Sequence, residues 1–190
     1  AMVPDTFDIQ ERISLAVNGL TGPTDPDKNY MIYFFVELRA DPPSMRHTNS
    51  DICQIKHMES LPLMRLAAGS SLNDHIDPVW MKSALQMIGP DGLAYWPSLP
   101  WAPYPGWCEP CEKGGDHYAL PFLNGRLIGA MTTYMQLDPS GPWDSEIRKV
   151  VEGLWGIAIE KDGYCYFPHG GFMPDQPRPH SAEMPVGITS

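Results

Sequence analysis

Apolar stripes of helical period alternate along this chain with breaks dense in proline and glycine. Ile9, Ile13, Leu15, Ala16, Val17 and Leu20 follow one another at the spacing of an amphipathic helix. Asp8 with Glu11 three residues on reads as an N-cap, and Thr21-Gly22-Pro23 as a stop, so a helix over 9–20 is predicted. Tyr30 to Arg39 is rich in aromatic and β-branched residues and fits either a buried strand or a short helix; its length tips the expectation towards helix. Ser50 or Asp51 caps a long helix on Ile52, Ile55, Met58, Leu61 and Leu66, with Pro62 expected to kink it and Gly69 to end it. Asp77-Pro78 reads as a cap and first helical residue, leading Val79, Trp80, Ala84, Met87 and Ile88 to Gly89-Pro90. Asp116 is expected to cap a further segment through Leu120, Leu123, Leu127, Met131 and Met135, broken at Pro139-Ser140-Gly141-Pro142. The last helix, about 144–161, carries Ile147, Val150, Val151, Leu154, Trp155 and Ala158 on one stripe. Residues 170–190 read as a loose tail.

Two stretches that follow helices are alike. Asp91-Gly92-Leu93-Ala94-Tyr95-Trp96-Pro97 and Asp162-Gly163-Tyr164-Cys165-Tyr166-Phe167-Pro168 both read Asp-Gly-x-x-Tyr-aromatic-Pro, 71 residues apart. The repeating unit is a helical hairpin closed by a short extended stub, with units at about 50–97 and 116–168. Asp-Gly permits the positive-φ turn out of a helix, the aromatics pack back, and proline stops further pairing.

Hairpins of this length, each closed by an Asp-Gly turn with an aromatic, resemble the units of (α/α) toroid glycoside hydrolases and polysaccharide lyases. The stretch Ser50-Asp51-Ile52-Cys53-Gln54-Ile55-Lys56-His57-Met58-Glu59, with Asn124-Gly125-Arg126-Leu127-Ile128 in the second unit, is similar to inner-ring helices of bacterial six-hairpin glycosidases. The resemblance covers roughly residues 50–170 and implies a mainly α fold, an α/α-toroid-like portion with short β stubs and long proline-rich loops. The chain holds about two and a half of a ring's six hairpins, so residues 1–190 are expected to form one α-helical domain that is whole in itself or part of a larger toroid. The implied activity is hydrolysis or binding of a carbohydrate.

Composition narrows the partners. The 190 residues suit one domain, and 21 Pro with 17 Gly demand long irregular connections. Thirteen basic against 23 acidic residues give a net charge of -10, and the longest basic cluster is Arg148-Lys149, which disfavours nucleic acid. Apolar runs such as Met31 to Val36 end within a few residues, far short of the ~20 that a spanning helix needs, so no membrane partner is expected. The start, Ala1-Met2-Val3-Pro4-Asp5, has no leader character, and Ala1 looks like a residue left by cloning or cleavage; cytoplasmic and secreted locations both stay open. A homo-oligomer, or association with the rest of a toroid, is the expected macromolecular contact.

Cys108-Glu109-Pro110-Cys111 has the spacing of half a zinc site, a redox pair or a disulfide, with ordinary thiols as the fourth reading. Zinc needs two more ligands, for which His117, His57 and Cys53 are nearest in sequence; neither metal nor cofactor is assigned.

Glycoside cleavage needs two carboxyl groups about 5–10 Å apart, one protonated and one ionised. Asp51 and Asp116 start successive hairpins and so are candidates; the competing reading makes both of them helix caps. Glu59 lies on a similar face to Asp51 but about 12 Å along the helix, too far for a retaining pair. His47 and His117 are candidate donors to sugar hydroxyls. Trp96, Trp101, Tyr104 and Trp107 lie in a segment of five aromatics and four prolines, a candidate stacking platform whose alternatives are a self-packed loop or a protein interface. A non-catalytic helical scaffold with an exposed aromatic surface is the competing function.

Overall fold

In the computed structural model, which describes residues 8–33, 35–46, 51–95, 119–167 and 172, five α-helices alternate with short antiparallel strand pairs. More than half of the described residues are helical, as expected for a mainly α chain. The helices are α1 (Ile9–Thr21), α2 (Asp51–Ala68), α3 (Ile76–Gln86), α4 (Pro121–Leu137) and α5 (Trp143–Ile157). Strand β1 (Thr24–Asp25) pairs with β2 (Met31–Ile32), β3 (Phe35–Glu37) with β4 (Ser44–Arg46), and β5 (Ile159–Lys161) with β6 (Tyr164–Tyr166).

Local signals decide some boundaries and lose at others. The Asp8 carboxylate accepts the Glu11 backbone N–H at 3.1 Å, so α1 starts at its predicted cap. α2 continues through Pro62 as one element. Tyr30–Arg39 forms strands rather than a helix: Asn29 and Tyr30 adopt φ of 54 and 56°, turning the chain so that β2 folds back on β1. Asp77 does not cap α3. The helix begins at Ile76 after His75, and Asp77 takes the guanidinium of Arg65, from Nε at 3.2 Å and from the terminal nitrogen at 2.8 Å. Arg65 is buried, and a buried charge left without a partner costs more than a cap bond contributes.

Asp116, the expected cap of the fourth helix, lies outside the described residues. α4 starts at Pro121 with Leu120 at the N-cap position, because Ala119 is held extended by paired backbone bonds of 2.7 and 2.8 Å with Phe172. Proline suits the first helical position, where its missing N–H would have no partner. α5 stops at Ile157 instead of 161, since Asp162-Gly163, with Gly163 at φ 86°, reverses the chain into the β5–β6 hairpin.

Helix directions follow from the contacts. Gln10 Nε2 donates to the Ala68 carbonyl at 3.1 Å, and α1 lies antiparallel to α2 with Leu20 near His57. α3 returns along α2, with Asp77 at Arg65 and the Trp80 ring 6.5 Å from His57. The chain thereby comes back to the end where α2 begins, and there Ala94 bonds to Asn124 near the start of α4. α2 and α4 consequently run side by side in the same direction, the most extensive helix contact among the described residues. α5 then runs back along α4, with the Trp143 and Tyr134 rings 5.4 Å apart.

Met58, Leu61, Trp80, Leu127, Met131 and Trp143 fill the core between these helices. Burying two indoles requires a partner for each N–H. Trp80 donates to the Tyr30 carbonyl at 3.0 Å and Trp143 to the Asp138 carbonyl at 2.8 Å.

Candidate functional site

Three times a helix is followed by a short antiparallel pairing: α1 by β1–β2, α3 by the bridge of Ile88 with Ala94, and α5 by β5–β6. The first two pairings are anchored alike. Tyr33 N–H donates to Pro23 on one side of the Thr24–Ile32 pair, while Tyr95 N–H to Met87 and Gly89 N–H to Leu93 flank the Ile88–Ala94 pair. In antiparallel strands a residue between such bonds turns its own N–H outward. Both outward N–H groups are buried and need an acceptor.

A carboxamide supplies it each time. Gln54 is the fourth residue of α2, and its Oε1 accepts the Ile32 N–H at 3.0 Å. Asn124 is the fourth residue of α4; its Oδ1 accepts the Ala94 N–H at 2.7 Å, and its Nδ2 donates to the Ala94 carbonyl at 3.0 Å and to Leu120 at 2.9 Å. Both side chains are fully buried. Neither is among the residues singled out from sequence; the available signal is positional, one amide near the start of each hairpin's first helix.

Midway along the same pair of helices Arg126 donates to Glu59 Oε2 at 2.6 Å, each about one third exposed, and its guanidinium lies 5.1 Å from the Phe122 ring centre. Glu59 is thus engaged with Arg126. His57 is half-buried between α1 and α3, and burial pushes its imidazole below the ordinary value, opposed by the Leu20 carbonyl.

A shallow cleft of about 410 Å³ lies between residues 90–93 and the C-terminal half of α5. Of its two carboxylates, Asp91 and Glu152, the first is occupied by its own turn, accepting from Leu93 N–H at 3.1 Å and from the Tyr95 hydroxyl. Gly92 rests against the Lys149 carbonyl, and a Cβ on Gly153 would meet the Gly92 carbonyl carbon at 2.9 Å. The cleft is therefore the rim of a tight backbone seam.

Of the residues predicted from sequence, Asp51 is the first residue of α2. His47, Trp96, Trp101, Tyr104, Trp107, Asp116 and His117 lie outside the described residues, as do Cys108 and Cys111. Cys53 and Cys165 are not joined in a disulfide. Among the described residues no group of three or more His, Cys, Asp or Glu is placed to hold a metal ion, and no helix is long and apolar enough to cross a membrane. Comparison with known proteins gives no match to a family model, a curated protein or a solved structure.

Proposed function

We propose that the chain is a glycoside-hydrolase-like protein built on the α/α-toroid plan, which binds or cleaves a carbohydrate at the end where α2 and α4 begin. One observation carries the reading. α2 and α4 lie side by side and start at the same end; Asp51 opens α2, and Asp116 precedes the start of α4 by five residues in the sequence. In this reading one carboxyl group, protonated, delivers its proton to the glycosidic oxygen. The other, ionised, activates water or attacks the anomeric carbon. Trp96, Trp101, Tyr104 and Trp107 stack on the apolar faces of the sugar rings, and His47 and His117 bond to hydroxyls.

Hydrolysis of a panel of aryl glycosides tests it. Asp51→Asn and Asp116→Asn should each lower turnover by about 100-fold or more, the usual size of an acid–base contribution; full activity in both variants removes the assignment. The second reading, a non-catalytic scaffold that joins another chain, is favoured by the exposed Trp155 and Tyr164. An obligate oligomer without glycosidase activity supports it.

A further inference from the structure

Three positions in α3 and the stub after it are buried where the residue 71 positions on is exposed. Leu93 is 4% exposed and Tyr164 62%; Tyr95 is 1% and Tyr166 41%; Ala84 is 0% and Trp155 61%. The turn glycines Gly92 and Gly163 share a φ of 86°, yet Gly92 is pressed onto α5 whereas a Cβ on Gly163 would meet no atom within 4 Å. The first stub is covered by the hairpin that follows it; the second has the same Asp-Gly turn, in a register shifted by one residue so that Ile159 pairs with Tyr166 where Ile88 pairs with Ala94, and no described residue covers it. In the β5–β6 hairpin the two-residue turn makes Lys161 and Tyr164 the closing bonded pair, so alternation turns the N–H of Cys165, opposite Glu160, outward. Cys165 stands 71 residues after Ala94, whose outward N–H is the one that Asn124 takes.

We propose that β5–β6 and the exposed Val151–Trp155 side of α5 form a docking face for a further helical hairpin of the same plan. Its first helix brings an Asn or Gln at the fourth residue to the Cys165 N–H, as Gln54 does for Ile32 and Asn124 for Ala94. Its second helix brings a glycine against Gly163, as Gly153 meets Gly92. A second copy of this chain does not fit. Its Gln54 and Asn124 are buried and already bonded to its own strands, and the residue of α3 that stands 71 positions before Gly153 is Lys82. The proposal rests on the hairpin plan in the functional reading and on no carbohydrate chemistry, so loss of the glycosidase assignment leaves it standing.

The test is the full chain with a second copy of residues 97–167 joined after Ser190, which supplies a hairpin of known sequence and leaves Phe172 on Ala119. Added far-UV helical signal is expected. So are amide exchange at 164–166 and alkylation of Cys165 each slowed by about tenfold or more, with both restored when only the copy's counterpart of Asn124 is changed to Leu. Trp155→Lys in the original unit should remove the added helicity, while Leu38→Lys, exposed beyond β3, should not. A copy that adds no helix, or that folds while Cys165 exchanges and reacts as before, overturns the proposal. Self-association of the native chain that Tyr164→Ser abolishes also overturns it, because the occupant is then a second copy.

Discussion

The side chain of Asn124 grips Ala94 as a neighbouring strand would, accepting its N–H at 2.7 Å and donating to its carbonyl at 3.0 Å, across 30 residues of sequence. This contact ties the end of the first hairpin to the first helix of the second. A carboxamide can do this because it carries a donor and an acceptor side by side, like the peptide group. Being fully buried, it also shields those bonds from competing water.

Asn124→Leu leaves the Ala94 N–H and carbonyl without their side-chain partner, at roughly 1–3 kcal/mol for each buried group left unsatisfied. A total loss of about 2–4 kcal/mol in urea unfolding is expected. Gln54→Leu gives up the single bond to Ile32 and should cost less. Equal losses would show that the two carboxamides act through packing alone.

Gly92→Ala and Gly163→Ala separate backbone strain from packing. The two glycines have the same φ, so each alanine carries the left-handed penalty of roughly 1–2 kcal/mol. At Gly92 the new methyl also collides with the Lys149 carbonyl, whereas at Gly163 it enters open space. Overpacking of that kind adds about 1–3 kcal/mol, so the unfolding midpoint should fall much further for Gly92→Ala.

Asp77→Ala takes the counter-ion, held at 2.8 Å, from the buried guanidinium of Arg65 and leaves it only the carbonyls of Ser70 and Leu72 at the turn from α2 to α3. The expected loss is about 3–5 kcal/mol. Asp144→Ala removes an ion pair of nearly the same length, 2.9 Å, but both of its side chains are mostly exposed, and no measurable change in thermal unfolding is expected.

His57 makes stability depend on pH in a definite direction. Burial lowers its pKa in the folded state, so below the ordinary value of about 6.5 the unfolded chain binds the proton more readily. The contribution is complete above that value and declines as the pH falls from there through the lowered folded pKa. Urea midpoints at pH 7.5 and 5.5 should therefore differ more for the native chain than for His57→Gln. An identical difference in both would show that the imidazole does not titrate with unfolding.

The presence and approximate extent of α1 to α5 were legible in chain order, because apolar period, the Asp8 cap and the Pro and Gly breaks act over a few neighbouring residues. The two Asp-Gly turns were legible for the same reason: their positive φ is a local demand. Of the candidate residues for cleaving or binding a sugar, Asp51 at the start of α2 is the one the described structure places. Other assignments depended on partners far along the chain. Asp77 has the form of a cap and serves as a counter-ion because folding brings Arg65 beside it. Residues 30–39 became strands once the turn at Asn29 and Tyr30 offered them pairing. Ala119 is drawn into extended pairing by Phe172, which delays α4 to Pro121. Gln54 and Asn124 look like ordinary polar residues near helix starts until strands from elsewhere present N–H groups to them. Local conformational preference is worth about 1 kcal/mol or less per residue. A buried charge or an unpaired backbone amide is worth several times that, so the long-range contact decides wherever the two compete.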